Sequence, residues 1–225
     1  MIDVNLLFGY FGNVLKILLL LPLLKWYKPR LSKLKVKWIL WAILGSITLY
    51  IVGLFVWDSV NDERSIFNKI LFSMILSPII EESLYRYLVL GIILYKIQKR
   101  ISFYDFLIFS YIAFALLIPG ILFYTTKLVS NKPDFILLVF VISIPVIGFG
   151  LQKLSKKGYY LKKFLDYYVI FMVAMLFFLS HNVFASQSQF IGGIFFGFLY
   201  YKSRNILPPI TAHFVYNLLV AFKPF

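Results

Sequence analysis

Eight apolar runs separated by short polar breaks dominate this chain of 225 residues. They lie near Val4–Leu24, Trp38–Trp57, Ile66–Tyr95, Phe103–Tyr124, Phe135–Leu151, Tyr167–Ala185, Phe190–Tyr201 and Leu207–Phe222. A helix that crosses a bilayer needs about 20 mostly apolar residues. The runs therefore predict an all-α, polytopic membrane helix bundle of about eight spans around a polar intramembrane cavity. The third run is long enough to tilt or break, and Pro78 sits inside it. Composition agrees with this class: 61% of residues are hydrophobic and 14% charged, against about 45–50% and about 25% in soluble domains. A soluble enzyme and a disordered chain are both poor fits. Residues 1–225 are expected to form one integral-membrane domain, with two peripheral spans in 1–65 and a motif-bearing core in 66–222. The first run is not read as a secretory signal, because it lacks a basic leader and Lys16 interrupts it. Cysteine is absent, which removes disulfides, thiol nucleophiles and thiolate metal sites.

The net charge of +14 would point to nucleic acid in a soluble chain. Here the positions of the cations decide otherwise. Sixteen fall between runs one and two, three and four, five and six, and seven and eight. Only Arg64, Lys127, Lys132 and Lys223 fall on the opposite side. Cytoplasmic loops of membrane proteins carry the excess of Lys and Arg, so both termini are expected outside the cytoplasm. The basic loops then face anionic lipid, and no nucleic-acid partner is expected. The most polar connection, Lys25–Lys37, reads as a solvated loop of this kind.

Charge inside a span is different. It costs about 2.5–3.5 kcal/mol at the bilayer centre even on the lenient insertion scale. The third run nevertheless contains Glu81, Glu82 and Arg86. Glu82 and Arg86 are four apart and share a helix face, so they can pair. Glu81 is turned about 100° from Glu82, which leaves one carboxylate for another task. The two histidines of the chain also fall in apolar surroundings. His181 closes the sixth run, and His213 lies in the eighth, four residues before Asn217 on the same face. Each group alone could be interhelical glue. Jointly they predict a pocket holding a carboxylate, two imidazoles, an amide and an ion pair. Between them, Gly193 and Gly197 form a GxxxG step that lets helices approach closely.

The order Glu-Glu-x-x-x-Arg (Glu81, Glu82, Arg86), Phe-x-x-x-His (Phe177, His181), a glycine-rich helix and His-x-x-x-Asn (His213, Asn217) resembles the CPBP family. These are the CAAX proteases and bacteriocin-processing enzymes, also called the Abi family. The resemblance spans about residues 70–220. It implies an intramembrane endopeptidase, similar to the type II enzymes that trim prenylated CAAX proteins. It assigns Glu81 as catalytic glutamate, with His181 helping to activate water. His213 and Asn217 become a clamp for the tetrahedral oxyanion, with Glu82 and Arg86 in support. The chemistry suits the residues, since peptide hydrolysis needs a base for water and donors for the oxyanion. No Gly-x-Ser-x-Gly occurs. Glu81, His181 and His213 would also make a legitimate zinc set, but His-Glu-x-x-His is absent, and a metal-free glutamate mechanism without cofactor is favoured.

Two other classes stay open on the sequence. One is a non-catalytic membrane scaffold or immunity protein of the same fold. The other is a proton-coupled transporter, which also uses intramembrane Glu and His. Repeat-built transporters show matching broken segments in two halves, and neither Pro119 nor Pro145 mirrors the surroundings of Pro78. The partner expected of an endopeptidase is a peptide or the C-terminal segment of a membrane-associated protein. Lys outnumbers Arg by 18 to 5, which fits an AT-rich bacterial gene. That favours a bacterial cell membrane, and peptide maturation or bacteriocin self-immunity over prenyl-protein processing.

Overall fold

The structure is a computed structural model that describes residues 4–25, 31–56, 67, 69–94, 159–179 and 187–222. Every regular element among the described residues is helical. Helix α1 is Val4–Leu20, continued by a tighter 3₁₀ segment, Leu21–Lys25. Helix α2 is Val36–Val56. The third run folds as three consecutive helical segments, here together called α3: Lys69–Leu76, Ser77–Glu82 and Ser83–Leu90. Helices α4, Tyr159–Leu179, α5, Gln187–Ser203, and α6, Leu207–Ala221, follow. Runs four and five, Phe103–Tyr124 and Phe135–Leu151, lie outside the described residues, so the count of eight spans is not decided by these helices.

Two differences from the sequence expectation have physical causes. Pro78 does not break α3. A proline removes one i→i−4 bond and crowds the preceding turn, and here the pitch changes at that point. Lys69–Leu76 has wider turns with i→i+5 bonds, and the α-helical turn starts at Ser77, so Pro78 occupies the opening turn of that segment. Helix α4 starts well before the apolar run at Tyr167 and takes Lys162, Lys163 and Asp166 into the helix. Straight-chain lysines are good helix formers, so the helix continues past the edge of the apolar stretch.

Among the described helices, Val36–Leu54 in α2 is the one that is long and apolar enough to cross a membrane, and α6 is a shorter apolar helix. Leu40, Trp41 and Leu44 on α2 are more than half exposed. A continuous apolar face of this kind is costly in water and costs nothing against lipid tails.

The chain divides into two compact units. One comprises residues 1–3, 30–87 and 173–225, and the other residues 4–29 and 88–172. In the second unit, Leu20 and Leu23 are buried, as are Leu165, Val169 and Ile170 on α4. The first unit holds α2, most of α3, the last turns of α4, and α5 and α6. Helix α6 packs against α2, α5 and α3. Its core joins Ala42 of α2, Phe196 and Leu199 of α5 and Ala212 of α6, flanked by Trp38, Phe195 and Tyr216. Small residues let these helices come close. Gly45 faces the Phe195 ring, leaving no room for a Cβ where the ring now sits. Next to it, the fully buried Ser46 hydroxyl lies 2.8 Å from the Ala42 carbonyl and 2.7 Å from the Ala212 carbonyl. Its single proton is thus shared between its own helix and α6.

The loop from α5 to α6 is pinned to the segment before α2. Ser32 N–H donates to the Arg204 carbonyl at 2.8 Å, and Asn205 Nδ2 donates to the Ser32 carbonyl at 2.8 Å. Asn205 Oδ1 accepts from Leu207 N–H at 3.0 Å, which satisfies an orphan donor at the start of α6. Arg204 itself ends α5 in the left-handed region, at φ 51°.

If Ser46 ties α2 to α6, Ser46→Ala lowers stability by about 1 kcal/mol, the net worth of one buried hydrogen bond. Thermal unfolding of the detergent-purified protein reads this as a lower midpoint, with no loss of activity at the transition-free temperature.

Candidate functional site

The polar residues of α3 lie on successive turns of one helix. Ser77 precedes Glu81 by four residues, and its hydroxyl donates to Glu81 Oε1 at 2.7 Å. Glu82 precedes Arg86 by four, and Glu82 Oε2 lies 3.0 Å from Arg86 Nε. Glu82 and Arg86 are fully buried, and Glu81 is 7% exposed. Ser77 thus meets the first of the two adjacent glutamates and Arg86 Nε the second.

Glu82 is held from both sides. Its Oε1 lies 2.9 Å from His213 Nδ1 on α6. An ionised carboxylate only accepts hydrogen bonds, so this contact calls for a proton on Nδ1. Nε2 is then the ring atom left for other chemistry. The His213 ring stacks on Phe196 of α5 at 5.1 Å between centroids and meets Phe177 of α4 edge-on at 6.0 Å. Four elements therefore fix one imidazole.

Arg86 is the hub of the cluster. Its Nη2 donates to the Gly193 carbonyl on α5 at 3.2 Å. Its guanidinium carbon sits 4.6 Å from the Phe177 ring centroid and 5.8 Å from that of Phe196, where the ring faces attract a cation. Tyr85 packs edge-on against Phe177 at 5.4 Å. Gly193 makes this approach possible. A Cβ there would stand 3.2 Å from both Ala174 Cβ and Phe177 Cδ1, and 3.3 Å from the Ala174 backbone.

Asn217, one turn after His213, donates from Nδ2 to the Ser73 carbonyl on α3 at 2.7 Å. Ser73 and Ser77 extend the polar stripe of α3 toward its start. The structure thus brings Glu82, Arg86 and His213 into direct contact, sets Glu81 on the adjoining face of α3 and ties Asn217 to α3. His181 lies outside the described residues. Among the described residues, no three His, Asp or Glu side chains are grouped to hold a metal ion. The zinc set Glu81, His181 and His213 needs His181 as its third member.

Sequence reasoning passed over Ser77, Ser73 and the Gly193 carbonyl. Ser77 had a legible signal, the four-residue step to Glu81. The Gly193 carbonyl had none, because a backbone acceptor carries no residue identity. Removing Arg86 leaves Glu82 buried with one cationic partner gone, a change that costs about 3–5 kcal/mol in comparable buried pairs. Arg86→Ala is therefore expected to reduce the amount of folded protein in membranes severalfold. Fluorescence-detected size exclusion of the solubilised protein measures this.

Residues 135–219 match a family model described as type II CAAX prenyl endopeptidase, Rce1-like. The matched stretch contains His181, His213 and Asn217, while Glu81, Glu82 and Arg86 precede it. No curated protein matches the chain. No solved structure matches it either. The family model and the long apolar helix mark a membrane protein. Together with the order of the Glu-Glu-x-x-x-Arg, Phe-x-x-x-His and His-x-x-x-Asn motifs in the sequence, the match supports membership of the CPBP family, the CAAX-type intramembrane proteases.

Proposed function

We propose that this protein is an intramembrane endopeptidase in which Glu81 and His181 activate water to cleave a peptide bond. In this reading Glu81 takes a proton from water as the hydroxide oxygen attacks the scissile carbonyl carbon. Asn217 and His213 steady the resulting oxyanion, the imidazole donating from Nε2 when both of its ring nitrogens carry protons. The carbon–nitrogen bond then breaks, and the proton passes to the leaving amine. Glu82 and Arg86 position His213.

The contrast between the two buried glutamates carries this reading. Both oxygens of Glu82 are engaged, one by Arg86 and one by His213. That carboxylate organises the helices. Glu81 is turned to another face of α3, where the Ser77 hydroxyl donates to its Oε1, and in this reading it is the proton acceptor of the pair. Intramembrane ionisable groups are expensive and mark function by default, and a purely structural pair needs only one of the two glutamates.

The substrate fitting a lipid-embedded site is a peptide, or the C-terminal segment of a membrane-associated protein. Bacterial peptide maturation or bacteriocin self-immunity suits the Lys-rich composition, in a cell membrane with both termini outside the cytoplasm. No cofactor is invoked. The residues Glu81, His181 and His213 are the ones that would hold zinc, which would supply a Lewis acid for the carbonyl.

Glu81→Ala, His181→Ala and His213→Ala are each expected to abolish processing, by at least 100-fold, while the protein still accumulates in the membrane. Full activity in all three variants overturns this catalytic reading. Activity of the purified enzyme is expected to survive strong chelation. Loss on chelation with recovery on zinc replaces the metal-free mechanism with a zinc one.

A further inference from the structure

We propose that the end of the first unit where α2 begins, α5 ends and α6 begins is a binding site for anionic phospholipid headgroups. Lys33, Lys35, Lys37, Lys202 and Arg204 form it. The site rests on the membrane reading of α2 and is independent of catalysis.

The first observation is the tether. In sequence these cations belong to two loops about 165 residues apart. Two backbone-anchored hydrogen bonds, Ser32 N–H to the Arg204 carbonyl and Asn205 Nδ2 to the Ser32 carbonyl, join the loops. The tether thus brings the two sets of cations to one end of the unit. All five residues are exposed.

The second observation is the level of the site along the bundle. The apolar span of α2 starts at Val36, between Lys35 and Lys37. The cations thus sit where hydrocarbon gives way to headgroups. Leu31, Leu34, Val36 and Leu207, all exposed, interleave with them. A soluble acidic partner has no use for that apolar admixture, whereas a headgroup carrying two acyl chains does. Lys202 lies 5.2 Å from the Phe198 ring centroid and 5.3 Å from that of Tyr201, the arrangement of a lysine that runs along an aromatic surface to reach an interface.

The third observation is Arg204. Its left-handed backbone is natural to glycine and costs an ordinary side chain roughly 1–2 kcal/mol. A cation is nevertheless placed at this turn. Strain kept at one residue points to a role for its side chain. Juxtamembrane cations attract anionic lipid additively, and the tether makes two loops act as one cluster.

The test uses the full chain in detergent, titrated with phosphatidylglycerol or phosphatidylcholine and followed by its thermal unfolding midpoint. Phosphatidylglycerol is expected to bind at least tenfold more tightly than phosphatidylcholine. Replacing Lys33, Lys35, Lys37, Lys202 and Arg204 by Gln, all exposed and so compatible with folding, is expected to bring the two lipids within about twofold. Asn205→Ala, which keeps every charge but removes one of the two tethering hydrogen bonds, is expected to lower the preference at least threefold. Equal binding of both lipids by the unmodified protein overturns the proposal. So does a preference that survives in the five-site variant or in Asn205→Ala. Equal stabilisation by inorganic phosphate, or displacement of the lipid by a soluble polyglutamate peptide, also overturns it, the latter in favour of an acidic protein partner.

Discussion

A guanidinium enclosed within a membrane helix bundle has to be compensated, and Arg86 is compensated from its own helix and from two others. Glu82 supplies the counter-charge from the preceding turn of α3. The Gly193 carbonyl supplies an acceptor from α5, and the Phe177 and Phe196 rings supply their electron-rich faces from α4 and α5. Each partner is needed because burying an ion is costly and attraction to a single counter-ion rarely offsets it. The same demand determines which helices meet. Gly193 lacks a Cβ where α5 passes Ala174 and Phe177, and its carbonyl reaches Arg86.

From this hub the site geometry follows by contact. Arg86 and His213 share Glu82, and His213 shares Phe177 and Phe196 with Arg86. The imidazole is therefore locked by the same groups that hold the guanidinium. Such preorganisation is what a hydrolytic site needs, since donors aimed at a developing oxyanion act best when they do not reorganise during the reaction. The two adjacent glutamates of α3 meet different neighbours. Glu82 meets Arg86 and His213, and Glu81 lies one residue away on another face, where Ser77 donates to it.

Elsewhere in the first unit, backbone carbonyls join the helices. Ser46 joins α2 to α6 through the Ala212 carbonyl, and Asn205 with Ser32 closes the turn between α5 and α6 against the start of α2. In a low-dielectric interior these neutral hydrogen bonds hold helices without the cost of burying charge. The exposed cations gathered there then meet the headgroup layer and leave the interior charge balance around Arg86 untouched.

Hydropathy alone was enough to read the described elements as helices, because helix is the structure that satisfies every backbone group within one apolar segment. The helices α2, α3, α5 and α6 lie close to runs read from the sequence, and the spacing of Glu82 and Arg86 was legible because four residues bring side chains onto one face. The start of α4 was not legible, since helix formation outlasted the apolar pattern through Lys162 and Lys163. Nor could spacing tell that His213 leans on Glu82, that the Gly193 carbonyl receives Arg86, or that Asn205 ties two distant basic loops together. Those are contacts between helices far apart in the chain. They depend on how closely helices pack, which is a property of glycine gaps, ring faces and backbone acceptors in three dimensions. No periodicity along a single helix encodes them.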